Sequence, residues 1–337
     1  MGIFATKPTP QDLYRAYTDG LPGSVNDEAD AELLLEEGLV GAMGNDTTNI
    51  KGLHKTRPRV LLFKALRQLD APGMHDRPGA LASEAQTTGD CVSHGVRNCI
   101  DGSRAYEIVT LKEGDQWIAR GATEYIYAGR GHRGAGMSPQ KATRIVNEGQ
   151  LLRRDYRPEG GPNLKKYNAK IGMSKGGSGI PSKWSEIAQD ELYSHKWLNP
   201  KTLEDCLDCM AAGFCGHAGS QFGSRPRTGP DGLNTKGASW NHDMAHFGYD
   251  MTSEIWKVPV VFIPNSWSAW NEENPVWARH TEILGDWIHG MLVVPFDVFE
   301  QHIVRAGSCY YHGHIEGGAI KPLPLIDSGV SEWLAAA

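Results

Sequence analysis

Residues 86–100 read QTTGDCVSHGVRNCI, and the rest of the chain is best read outward from them. Gly89-Asp90 has turn chemistry, and Asp is a residue type that caps helix N-termini. Val92, Val96, Cys99 and Ile100 then recur at i, i+4, i+7 and i+8, one face of an α-helix. The spacing predicts a helix beginning at or beside Cys91. A helix N-terminus carries unpaired N–H groups and partial positive charge, which favour a thiolate, the reactive form of cysteine. Cys99 falls on the apolar face, where a buried inert thiol is expected. Position alone leaves Cys91 open between nucleophile and packing residue.

A thiol nucleophile needs a base beside it and a third group that fixes the base's tautomer. His242 lies in SWNHDMAHFGYD and Asn265 in VVFIPNSWSAWN, 151 and 174 residues after Cys91. Their flanks are short apolar or alternating runs of strand type. Phe214–Ala218, His242–Tyr249, Val258–Ile263 and Ile288–Val294 all read as strands, and 221–238 as a loop insertion between two of them. Helices are expected over Glu28–Val40, Arg59–Leu69, Gln140–Gly149 and Leu203–Ala212, with 152–185 as a long loop rich in Gly, Lys and Pro. A helical first part followed by a β-rich second part predicts an α+β fold.

Composition narrows the class. The 337 residues carry a net charge of -6 with ordinary hydrophobic and charged fractions, which argues against a general nucleic-acid or membrane-surface binder. No apolar run approaches a membrane span, and the start of the chain lacks the pattern of a secretory leader. Six cysteines, at 91, 99, 206, 209, 215 and 309, are too few for a disulfide scaffold in a chain of this length. Free thiols in a reducing compartment, such as cytoplasm or a particle assembled there, are the expectation.

Four segments, in order, resemble the papain-like cysteine peptidase family. QTTGDCVSHG (86–95) is similar to the family's segment around the nucleophile, with its upstream Gln. Residues 123–156, TEYIYAGRGHRGAGMSPQKATRIVNEGQLLRRDY, resemble its run from a helix through a Gly-rich loop to a second helix and a Tyr-containing turn. NHDMAHFGY (241–249) resembles the histidine strand, and NSWSAW (265–270) the Asn-Ser-Trp-Gly signature. The resemblance implies a helical subdomain and a β-barrel-like subdomain with the site in the cleft between. It implies Cys91 as nucleophile, His242 as base, Asn265 as its orienting partner and Gln86 as an oxyanion donor beside the Cys91 N–H. It implies that Trp267 covers the Asn265–His242 pair and that Gly134 and Gly136 form a wall for the substrate backbone. The implied activity is peptide hydrolysis on a peptide or protein substrate, with no cofactor. The match covers roughly residues 75–300, so the domain is set at 75–320, with an N-terminal extension over 1–74 and a tail over 321–337. That extension is read as a propeptide, a docking segment for assembly partners or a decoration. In the family, Gln and Cys are usually six apart; here the separation is five. Val92 and Ser268 stand where the family has Trp and Gly, and the cysteine that often precedes the nucleophile is absent.

Three other readings compete. His242-Asp243-Met244-Ala245-His246 is close to H-E-x-x-H, a zinc-hydrolase motif that works on a helix. Cys206, Cys209, Cys215 and His217 lie within twelve positions and are ligand types for a structural zinc. The fold can also serve an assembly, for example a virus particle, with cleavage secondary or lost.

Overall fold

The computed structural model describes residues 40–42, 47–69, 84–111, 120–146, 151–154, 163–189, 195–225, 227–267, 270–271, 273–305, 308–316 and 319–325. Its centre is α2 (Cys91–Leu111), which begins at the cysteine. From Cys91 to Tyr106 every residue is buried, polar ones included. An amphipathic pattern alone would bury one stripe; here Ser93, His94, Arg97, Asn98 and Asp101 are covered too, so their partners must come from other elements.

Other helices surround this centre. They are α1 (Phe63–Leu69), α3 (Thr123–Ala128), α4 (Pro139–Ile145), α5 (Ala169–Lys175) and α6 (Ser182–Gln189). Ser138 caps α4 by accepting from the Lys141 N–H, with Pro139 at the first helical position. Asn168 caps α5. Residues 152–185, expected to be one long loop, thus hold α5 and the start of α6.

Among the described residues, two sheets complete the fold. One runs β1 (Val40–Ala42), β3 (His195–Asn199), β9 (Ser308–Glu316), β4 (Gly216–Ser224), β5 (Lys236–His246), with β10 (Ala319–Ile320) on β9. The other runs β2 (Arg59–Leu61), β6 (Gly248–Asp250), β7 (Val260–Pro264), β8 (Met291–Pro295). Pairing is antiparallel except between β1 and β3. The α+β class stands; the sheets remain open rather than closing into a barrel-like unit. The insertion read over 221–238 lies between two strands as expected, but its ends, 221–224 and 236–238, belong to the strands themselves, because β4 and β5 form a long hairpin with register shifts near Phe222 and Ser224. Phe222 and Trp240 point into the core from either arm.

Residues 59–69 form β2 and α1 rather than one helix. Arg59, Val60 and Leu61 pair with Asp250, Tyr249 and Gly248, and Phe63 and Leu66 are buried in the core. The helix α7 (Leu203–Ala211) is capped by Thr202. It presents Asp208 to the Gly52 and His54 N–H groups at 2.7 and 3.0 Å. The helix expected from Glu28 lies outside the described residues except for Val40, which is in β1.

Candidate active site

Strand β7, Val-Val-Phe-Ile-Pro, is buried throughout because it is the inner strand between β6 and β8. Asn265 follows directly and continues the ladder, its N–H donating to the Gly290 carbonyl at 3.0 Å. Strand β5 alternates exposed and buried over Ser239–Asn241, then is buried on both faces from His242 to His246. The change comes where α2 crosses it. Gly95, one turn into α2, shows how close the crossing is. A Cβ there would lie 1.8 Å from Asp243 Oδ1, so only glycine admits the carboxylate.

His242 and Asn265 meet across the two sheets. The His242 Nε2 is 2.9 Å from Asn265 Oδ1. An amide oxygen only accepts, so Nε2 carries the proton and, in the neutral ring, Nδ1 is the basic nitrogen. Trp267 stacks on the imidazole, with centroids 4.5 Å apart and planes at 28°. Trp240 and Trp270 close around Trp267 at 4.6 and 5.1 Å. The Trp270 indole N–H donates to Ser224 Oγ at 3.1 Å. Buried in this aromatic box, and beside His94, His242 has its pKa pulled down to about 4 despite the Asn265 bond.

Cys91 is fully buried. Its thiol is held against the backbone N–H of Asp243, the residue after His242, and the N–H of Val92. Burial pushes the thiol pKa well up, and the Asp243 and Asp90 carboxylates push the same way against those two N–H groups. Cysteine and histidine in this resting state are therefore both neutral. Asp90 starts the helix through its carbonyl, which accepts from the His94 N–H. Its carboxylate does not cap, however: it accepts from the Tyr167 hydroxyl at 2.7 Å. Behind the site, Asp243 takes His217 Nδ1 at 3.1 Å.

Gln86 is tied to the residue beside Asn265. Its N–H donates to the Ser266 carbonyl at 3.0 Å, and its side-chain oxygen accepts from Ser266 Oγ. One N–H of its amide donates to the Thr88 carbonyl at 3.0 Å. The Gly-rich stretch reaches the same turn: the Gly136 N–H donates to the Gly89 carbonyl at 3.0 Å. Gly136 has φ +82°, a left-handed conformation suited to glycine. The Gly134 carbonyl accepts from Arg130 Nε at 2.8 Å.

The metal readings do not survive this geometry. His242 and His246 are four apart on a strand, about 13 Å along it, not on one helix face. His246 instead meets the Tyr311 hydroxyl at 3.0 Å. The four-ligand zinc string is dispersed as well. Cys206 is beside Cys309, the Cys215 N–H donates to Ser103 Oγ, and His217 is taken by Asp243. Among the described residues no group of three or more His, Cys, Asp or Glu could hold a metal ion. Sequence reasoning missed Trp240, Asp243, His94 and Tyr167 as neighbours of the site. Trp240 was findable, since it precedes His242 by two on one strand face. Tyr167 gave no signal, because only tertiary structure brings it to Asp90.

No family model matches the chain, and no curated protein does. Solved structures do. Digestive procathepsin L 3 of Tenebrio molitor larval midgut is similar at 10% identity, over 90% of this chain and 78% of that one, with a TM-score of 0.48. The proform of the ragweed pollen allergen Amb a 11, a cysteine protease, is similar at 11% identity, over 88% and 77%, with a TM-score of 0.49. Recombinant stem bromelain precursor is similar at 13% identity, over 90% and 87%, with a TM-score of 0.45.

Proposed function

We propose that this chain is a papain-like cysteine peptidase, hydrolysing peptide bonds through Cys91, His242 and Asn265. The observation that carries the reading is the His242–Asn265 pair at 2.9 Å under Trp267, on the strand whose next peptide N–H holds the Cys91 thiol. In this reading, Cys91 Sγ attacks the carbonyl carbon as its proton passes to His242 Nδ1. Asn265 keeps the imidazole in the tautomer that makes Nδ1 basic and steadies the imidazolium once formed. The negative charge that develops on the carbonyl oxygen meets the Cys91 N–H and the Gln86 amide. The imidazolium then gives its proton to the leaving amine, and water releases the acyl group by the same base. A substrate would lie along Gly134–Gly136, where two glycines flanking the small Ala135 let its backbone come close.

The burial of Cys91 favours a second reading, in which the fold serves an assembly and cleavage is lost. The experiment that separates the two is labelling with an epoxide or iodoacetamide, followed by peptide mapping and a peptide-library assay. The peptidase reading expects Cys91 to react ahead of the other five cysteines. It also expects Cys91→Ala to lower hydrolysis on the order of a thousandfold or more while the fold persists. Activity should survive a strong chelator. Equal hydrolysis by the Cys91→Ala protein would end the cysteine mechanism. Absence of hydrolysis by both proteins, with Cys91 unreactive, would leave the assembly role.

A further inference from the structure

The chain is acidic overall, with 40 Asp and Glu against 34 Lys and Arg. Two segments beside the site run against that balance. Residues 128–146 contain four Lys or Arg and residues 163–185 contain five, nine in all, and neither segment has an Asp or Glu. Ordinary protein surfaces intersperse both signs, and a single-sign field is the feature that gathers an oppositely charged partner.

These segments form one surface. The Arg130 guanidinium donates to the Gly134 carbonyl at 2.8 Å, and to the Gly172 and Met173 carbonyls of α5 at 3.0 Å each. Arg133 packs over Gly177, where a Cβ would lie 2.8 Å from its Cγ. The surface reaches the nucleophile from two directions. Gly136 is bonded to Gly89. Tyr167, flanked by Lys165 and Lys166, donates to Asp90 and accepts from the Thr87 N–H at 3.2 Å. Arg133, Lys165 and Lys170 are exposed and make no ion pair with any described residue. Two described carboxylates that bond to these segments or to the turn beside them are already engaged. Asp90 is buried and bonded to Tyr167, and Glu124 is buried and paired with Arg154 at 2.5 Å.

Resting on the peptidase reading, we propose that this face selects acidic substrates: the stretch of peptide lying along the Gly134–Gly136 wall carries Asp or Glu side chains that meet Arg133, Lys165 and Lys170. Specificity then comes from the rim of the site, while the backbone is held by the wall.

Two fluorescent peptides test this, identical except for three Glu in one and three Gln in the other, titrated by anisotropy into the full-length Cys91→Ala protein. The Glu peptide should bind about tenfold more tightly at low salt, as three modest exposed pairs would give. The gap should close near ~0.5 M salt. Arg133→Glu/Lys165→Glu/Lys170→Glu should abolish or invert the preference, with an unchanged melting temperature showing that the fold is intact. The parent protein should cleave the Glu peptide with the higher kcat/KM. Equal affinities, a preference that survives the triple variant, or a DNA oligonucleotide of equal charge displacing the peptide and binding more tightly would each overturn the inference. Cleavage of both peptides at equal rates would sink it while sparing the peptidase reading. Preferential binding with hydrolysis of neither would sink the peptidase reading and the substrate claim with it.

Discussion

On the helical side of Cys91, Asp101, Glu124 and Glu84 are packed with Arg97, Arg120, Arg153 and Arg154; around His242, the buried polar groups are mostly a neutral imidazole, an amide and indoles. Asp101 accepts from Arg120 at 2.8 Å and from Arg153 at 3.2 Å. Arg154 joins Glu124 to Glu84 at 2.5 and 2.6 Å. Burial would raise Glu84, but Arg154, Arg97, His94 and Arg120 overcome it and hold the carboxyl down at about 2. The first region keeps ionised groups dry by giving each several partners. The second keeps them dry by leaving them uncharged. Ion networks of the first kind cost much in desolvation but fix geometry sharply. The neutral box costs little and leaves a base that can still take a proton. Asp243 is the exception among His242's neighbours, and it sits where the two regions touch.

The largest effect should come from breaking the ionic side. Asp101→Ala leaves Arg120 and Arg153 without a shared carboxylate in the dry interior, and should cost about 3–5 kcal/mol in urea unfolding. A loss below about 1 kcal/mol would mean that water already reaches the cluster and the contrast is false.

Acid should separate the regions next. Burial lowers His242 to about 4 and His246 to about 3, while unfolded histidine titrates near 6.5. Below pH 6.5 the unfolded chain therefore binds protons that the folded one refuses. Stability falls as pH drops, by roughly 2 kcal/mol for each histidine by pH 5. The Glu84 contribution persists to about pH 4.5, and is lost between there and its folded value of about 2. Urea midpoints at pH 7, 5.5 and 4.5 should show the histidine loss first. A flat profile down to pH 5 would put the strand side in doubt.

Much of this was legible beforehand, and the reasons are uneven. The start of α2 at Cys91 follows from a turn and an apolar face, both local. Strand β7 follows from five apolar residues in a row. The ionic cluster could not be read, because Arg97, Asp101 and Arg120 look like any solvated charges until the segments around 84, 120 and 153 fold over α2. Asp90 fails as a side-chain cap for a similar reason: Tyr167 outcompetes the local N–H groups. The zinc readings failed because a string of ligand types says nothing about the element that carries it, and an H-x-x-x-H string changes meaning entirely between helix and strand. Cys91, His242 and Asn265 could be singled out from the sequence; the aromatic box around His242 was only half visible, in Trp267.

Two smaller tests address the seam and the surface. Gly95→Ala pushes a methyl into the Asp243 carboxylate and should cost about 1–3 kcal/mol through displaced packing. Thermal melts, with iodoacetamide labelling of Cys91 alongside, would show whether the seam or only the fold responds. Arg305→Ala removes an exposed pair with Glu300 and should change stability by less than about 1 kcal/mol. A larger drop would show that surface charge matters here as much as buried charge.

The strand β2 has a consequence for how the molecule is made. Arg59 pairs with Asp250, 191 positions further along the chain. During synthesis, β2 must wait for β6 to leave the ribosome before its ladder can form, on the order of ten to forty seconds at usual elongation speeds. Closing so long a loop is also a slow, non-local event in refolding. An early-made strand is thus paired only after most of the chain has been made, and until then its edge is open to strangers. Co-translational chaperoning that covers this edge should therefore raise the yield of folded protein.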